Sequence, residues 1–284
     1  MSLTFIIIVT FVFIGFLGSI FANNRFNKNV ESEIQELFEA NKETDTKIVE
    51  ESDIDDLPKN VQRWLKRANV LGQKKINTVR LKQNAKMRME KDKSWMPVEA
   101  EQYFTVNRPG FIWKARIKAA PFLHIVGRDK YFEGEGNMLI KMMSLVTIAD
   151  SSGPEIDQGT LIRYLAETVW FPSAALEVYI TWEHIDDNSA KATMTYGDIT
   201  SSGTFVFNEK GDVIRFEANR YRESDGDYSK ERWIIDIKGH KEMNGIRIPT
   251  KGEVTWKLDH EDFTWFRFEI EDIDYHSQKT FISY

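Results

Sequence analysis

The residues with the most chemical promise in this 284-residue chain lie in the stretch GTLIRYLAETVWFP, Gly159 to Pro172. Arg163 and Glu167 are four residues apart and Trp170 follows three later, so on a helix they share one edge. Leu161, Ile162, Leu165, Ala166 and Val169 form the adjoining apolar stripe, which puts the ionic pair at the border of the core. Asp157 is expected to cap this helix and Pro172 to stop it, because a proline ring cannot continue the ladder and biases Phe171 away from helical angles. At a wet rim such a pair is worth about 0–1 kcal/mol. Inside an apolar cavity it demands further hydrogen bonds or a ligand, and so marks a site. Arg220 belongs to the same reading: strand parity with Ile214, Phe216 and Ala218 carries it onto an apolar face unless a bulge intervenes.

Other stretches with chemical residues resolve into turns. His124, His184, His240, His260 and His276 lie far apart, with no two at the spacing of a helical metal site. In DGDYSKE, Asp225, Asp227, Ser229 and Glu231 alternate like the start of a calcium loop. Lys230 stands where the turning glycine belongs and Asp236 replaces the closing glutamate, so a solvated hairpin is expected. GEG at Gly134 to Gly136 lacks the third glycine of a dinucleotide site, and Asp186 with Asp187 reads as a turn. With no cysteine in the chain, disulfides, thiolate metal sites and cysteine nucleophiles are excluded. No catalytic residue, metal or cofactor is assigned. Trp113, Trp182, Trp233 and Trp256 instead share the parity of the apolar face, and with nine Met residues they describe a broad interior, either filled as core or open to an acyl chain.

The net charge of -6 is mixed along the chain and offers no basic footprint for nucleic acid. The first 24 residues carry no charged side chain, and LTFIIIVTFVFIGFLGSIFA is long and apolar enough to cross a bilayer. A transmembrane signal-anchor over residues 1–24 is expected, since a cleaved signal peptide has a charged start and a shorter apolar centre. Arg25 and Lys28 follow the span, and the positive-inside rule alone would put the domain in the cytoplasm. Val30, Ile34, Leu37 and Phe38 recur at helical spacing, a stripe for lipid or for the domain. Residues 25–56 are expected to be an amphipathic and charged juxtamembrane tether, and 57–284 a single β-rich domain.

That domain opens with the helix DLPKNVQRWLKRANVLG, in which Asp56 caps, Pro58 takes the first turn and Gly72 stops it; Val61, Trp64, Leu65 and Ala68 face inward. Beyond it the period changes to two. Val79, Leu81, Ala85, Met87 and Met89 alternate with Arg80, Lys82, Asn84, Lys86 and Arg88, as Phe111, Trp113, Ala115 and Ile117 do with Lys114, Arg116 and Lys118. Val254, Trp256 and Leu258 repeat the pattern, and less regular runs cover 98–106, 122–132, 138–149, 178–185, 190–196, 204–207, 213–222, 233–238 and 263–275. No helices are interleaved to carry parallel crossovers. A flat sheet of about a dozen one-sided strands would leave an apolar face in water, so it must curl. The predicted fold class is mainly β, a β-rich α+β chain whose large curved antiparallel sheet forms an open half barrel with two or three helices in or over its concave face.

The ordered series LPKNVQRWL, WMPVEAEQYFTVNRPGFIWKARI, GRDKYFEGEGNM, GTLIRYLAETVWFP, ITWEHIDDNSAKA and GIRIPTKGEVTW resembles an uncharacterised bacterial family of membrane-anchored domains of unknown function, from Leu57 onward. NRPGFIWKARI with the strand after it is similar to lipoprotein-carrier half barrels, which bind acyl chains in the concave face. That second resemblance implies an extracytoplasmic domain on a single-pass membrane protein, against the charge rule, and the outward placement is adopted. The expected function is a membrane-tethered, noncatalytic binding module for a lipid or other apolar small molecule, with Arg163, Glu167, Trp170, Trp113, Trp182 and Arg220 as ligand-binding residues. Two alternatives remain: a carboxylate-dependent hydrolase using Glu167 and Arg163, and an envelope scaffold whose apolar face is filled. The membrane is the expected partner through the N-terminal helix, nucleic acid is not, and no protein partner is assigned.

Overall fold

A computed structural model describes residues 3–41 and 47–281, and within 3–16 only Phe5 and Gly15 beyond the backbone. Its thirteen strands are β1 (Thr78–Met87), β2 (Met96–Thr105), β3 (Gly110–Ala120), β4 (Leu123–Phe132), β5 (Glu135–Met142), β6 (Val146–Ser152), β7 (Ile180–Asp186), β8 (Ser189–Tyr196), β9 (Ile199–Phe207), β10 (Val213–Ser224), β11 (Asp227–Met243), β12 (Ile246–Lys257) and β13 (Asp262–Tyr275). They form one antiparallel sheet in the order β6-β5-β4-β3-β2-β1-β13-β12-β11-β10-β9-β8-β7. The chain thus starts in mid-sheet, meanders to one edge, crosses to the other, and meanders back until β13 pairs with β1. Three α-helices accompany the sheet: α1 (Leu3–Ala40), α2 (Lys59–Arg67) and α3 (Pro154–Glu167).

The crossover proves the curvature. Between β5 and β9 lie nine strand-to-strand steps, about 43 Å along a flat sheet at about 4.8 Å per strand. A helix is only about 10–12 Å across. Yet α3, which carries the chain from edge to edge, touches β4, β5 and β6 as well as β8, β9 and β10. Both edges can meet one helix only if the sheet curls around it into a trough. Gly136 on β5 shows how close the approach is: a Cβ there would lie 2.4 Å from Thr160 Oγ1 and 2.8 Å from the carbonyl of Ile156.

α1 lies on the outer face. Phe26, Val30, Ile34, Leu37 and Phe38 pack on Tyr103, Ile112, Val126 and Phe281, so the apolar stripe meets the domain. Adjacent residues of β4 face opposite ways: Arg128 turns out to Glu33 of α1, 3.0 Å away, while Asp129 turns in. Among the described residues no helix is long and apolar enough to cross a membrane. Most side chains of the span expected over 1–24 lie outside the described residues.

Several local expectations give way to tertiary context. Residues 47–56 were expected to belong to a solvated tether, but Val49 and Ile54 are buried in the main core, and Ile48 bridges Lys74. α2 begins at Lys59 with Pro58, not Asp56, at its cap, and α3 begins at Pro154 after Gly153. Asp157, freed from capping, accepts the Gly136 N–H at 2.6 Å and ties the helix to β5. α3 also ends before Pro172, tightening into a 3-10 turn at Thr168–Trp170, and Pro172 opens a second one. The expected strand over 138–149 is two strands, because Met143 and Ser144 take left-handed backbone angles and reverse the chain. Met89 lies past the end of β1 and is exposed, and Ile214 is turned outward by a bulge between Val213 and Arg215.

Candidate functional site

The trough is not evenly filled. Between α3 with its following turn and the inner faces of β1, β3 to β5 and β10 to β13 a cavity of about 320 Å³ remains. Its wall is largely aromatic and aliphatic, with Trp113, Trp170, Trp233, Trp256 and Phe266 among its residues. Three larger hollows are surface basins, a polar one beside α2, one beside α1 at Phe122 and a polar one around Arg128 and Asn137, and none is lined by α3.

One edge of α3 brings charge to this wall. Arg163 donates from Nε to Glu167 Oε1 at 2.9 Å and from Nη1 to Asp129 Oδ2 at 2.5 Å. Gln102 Nε2 donates to the other Glu167 oxygen at 2.7 Å. The guanidinium carbon lies 4.9 Å from the Phe111 ring centre and 5.2 Å from that of Trp113, whose indole N–H donates to Gln83. Buried charges persist only with such compensation, and here two carboxylates and two aromatic faces surround one cation. Burial disfavours the Arg163 charge, but Glu167 and Asp129 outweigh it and hold its pKa above the ordinary value. Burial pushes the Glu167 carboxyl above the usual range, against the pull of Arg163.

Arg220 is different. It stacks 4.9 Å from the Trp233 ring centre and 5.9 Å from that of Trp256, and its Nε donates to the carbonyl of Gly159 at 3.0 Å. Arg220 lies directly over Gly159, where a Cβ would be in van der Waals contact with that nitrogen at 3.4 Å. Among the described residues no carboxylate lies within ion-pairing distance of Arg220. Burial, with repulsion from Arg163, lowers its pKa to about 10, which still leaves it cationic at neutral pH. Among the described residues, the buried indole N–H groups of Trp233 and Trp265 also have no acceptor.

Of the residues singled out in the sequence, Arg163, Glu167, Trp170, Trp113 and Arg220 line this one cavity. Trp182 does not: its ring packs against Trp64 and Phe205, and its N–H donates to the carbonyl of Ala175 at 3.0 Å. Sequence reasoning missed Asp129, Gln102 and Gln83. Their signal was a polar side chain at an apolar parity: Gln83 between Leu81 and Ala85, Asp129 between Gly127 and Tyr131. Among the described residues no group of three or more His, Asp or Glu is placed to hold a metal ion.

Solved structures with a similar course of chain include three bacterial proteins. A putative outer membrane lipoprotein-sorting protein domain from Vibrio parahaemolyticus is 7% identical over 71% of this chain and 86% of that one, with a TM-score of 0.39. A DUF1329 family protein from Desulfovibrio piger is 8% identical over 78% and 93%, with a TM-score of 0.43. A LolA superfamily protein from Nitrosomonas europaea is 10% identical over 76% and 94%, also with a TM-score of 0.43. No curated protein matches the chain in sequence. The family model of DUF6544, a family of unknown function, matches residues 47–268, so the chain belongs to that family.

Proposed function

We propose that this protein binds an apolar ligand bearing an anionic group in the cavity beside α3, in an extracytoplasmic domain held at the membrane by the apolar start of α1. Arg220 carries the reading. A cation set on an aromatic wall without a carboxylate costs free energy that a filled core would have no reason to bear. Both nearby carboxylates are engaged by Arg163, and the space in front of Arg220 is apolar, which suits a hydrocarbon body ending in a carboxylate or phosphate. Glu167 uses both oxygens on Arg163 and Gln102, an arrangement that fixes the side chain and favours binding over carboxylate-dependent hydrolysis. The open cavity favours binding over a filled scaffold.

The test is organic extraction and mass spectrometry of the full chain purified from membranes, beside the Arg220→Met variant in the same detergent. Annular lipid is common to both samples and cancels. One charge-assisted contact worth about 1.5–3 kcal/mol predicts roughly a tenfold or greater loss of an acidic amphiphile from the variant, with an unchanged far-UV spectrum. Equal recovery from the two proteins would overturn the reading.

A further inference from the structure

Strand alternation sorts the hairpin turns onto two rims of the trough. The turns after β1, β3, β5, β10 and β12 lie on one rim, and those after β2, β4, β9 and β11 on the other. The cavity reaches the first rim, where Met87 ends β1, Glu223 nears the end of β10 and Tyr228 is the second residue of β11.

α1 crosses the outer face between the same two rims. At the far rim Asn41 donates to the carbonyl of Asn77 and accepts from the N–H of Arg108. At the cavity rim Asn23 accepts from Arg116 and Ser144, and Ser19 donates to the carbonyl of Met143 at 3.0 Å. The helix therefore leaves the domain at the cavity rim, and the residues that precede this point are the uncharged apolar run.

Beside that exit lies a group of exposed apolar side chains, although others such as Val178 and Ile48 are exposed elsewhere. Phe122, at the tip of the β3–β4 hairpin, is 100% exposed and held at a φ of 65°. Leu123, Leu145 and Val146 on this hairpin and the next are 37%, 47% and 61% exposed, and Phe21 of α1 is 71% exposed. A bulky aromatic in the left-handed region with its whole ring in water is unfavourable twice over for a free-standing domain. Contiguous apolar surface of this kind marks an interaction site. Arg116 and Lys118 flank it, at the height where lipid headgroups would meet an inserted tip.

We infer that this rim is a membrane-contact surface, on which Phe122, Leu123, Leu145 and Val146 enter the lipid interface beside α1 and hold the cavity mouth against the bilayer. The inference rests on α1 as the anchor but not on any ligand in the cavity. Seating these tips would bury apolar area and place the aromatic at the level such residues favour.

The cysteine-free chain makes the test direct. Single variants Phe122→Cys, Leu145→Cys, Glu209→Cys on the far rim and Phe13→Cys in the apolar run are labelled with an environment-sensitive fluorophore. The full chain is reconstituted in phosphatidylcholine–phosphatidylglycerol vesicles with brominated acyl chains. Quenching and a blue shift are expected at 122, 145 and 13, with water-like emission at 209. Quenching at 13 with 122 and 145 resembling 209 would show an anchored chain whose rim stands clear of lipid, and would overturn the inference. Water-like emission at all four positions would overturn it together with the anchor, while the extraction experiment on Arg220 would be untouched.

Discussion

The two ends of the trough are lined by the same residue type and come out differently. Under β7 to β9, Trp64 of α2 packs against Trp182, Phe205 and Phe207 at ring separations of 6.0, 5.8 and 6.0 Å, with Trp64, Phe205 and Phe207 all buried. Under β10 to β13 and β3, Trp113, Trp233 and Trp256 face a hollow. Strand parity is the same in both places, so the sheet does not decide the outcome. The filler helix does. α2 presents an aromatic ring that fills its side of the trough, whereas α3 presents Arg163 and Glu167, which are held to Asp129, Gln102 and the faces of Phe111 and Trp113.

The largest effect should come from attacking the filled end. Trp64→Ala is expected to cost about 3–5 kcal/mol, read as a lower urea midpoint. Trp256→Ala only enlarges a space that already exists and should cost nearer about 2 kcal/mol, the transfer contribution alone. Equal losses in the two variants would mean that both ends are packed alike. Next in size is Arg163→Met, which leaves Asp129 and Glu167 facing each other without their cation. About 3 kcal/mol should be lost at neutral pH. The Glu167 carboxyl already sits above its ordinary range because of burial, so the loss should shrink as pH falls and the carboxyls protonate. A pH-independent loss would argue against the charge explanation.

A smaller effect sharpens the contrast from outside. Asp212 ties α2 to β12, accepting from Arg247 Nε at 2.7 Å and lying 3.4 Å from Arg67 Nε. Burial alone would raise its pKa, but the hydrogen bond from Arg247 and the charges of His240 and Arg247 lower it to about 2. A carboxyl depressed in the folded state stabilises fully above its unfolded pKa and loses that stability as pH falls through the folded one. The wild-type chain should therefore lose stability between pH about 4 and about 2, and Asp212→Asn should flatten that segment of the urea-midpoint profile. An unchanged profile would show that the latch contributes nothing.

Much of the wall was legible in advance, because a period of two along Val79, Leu81 and Ala85 or Phe111, Trp113 and Ala115 states directly which face is dry. The edge of α3 was legible for the matching reason at a period near four. The hollow was not. Whether Trp182 or Trp256 borders empty space depends on what α2 and α3 bring across from distant parts of the chain, and nothing within a strand records that. The caps failed similarly: Asp157 has the chemistry of a cap, but a backbone N–H on β5 claims it. Val49 and Ile54 sit in a run whose charge suggests solvent, and two apolar residues among acids are too sparse a signal to show docking.

The crossover between edge strands has a mechanical corollary. Among the described residues β6 and β7 are not laced to each other; α3 packs between the two sides, tied to β5 through Asp157 and Gly136 and to β10 through Gly159 and Arg220. A sealed barrel can widen only by rupturing rungs between strands. Along an unsewn seam there are no rungs to rupture, so any widening of this one would be resisted by the packing of α3 against both sides and not by the sheet itself.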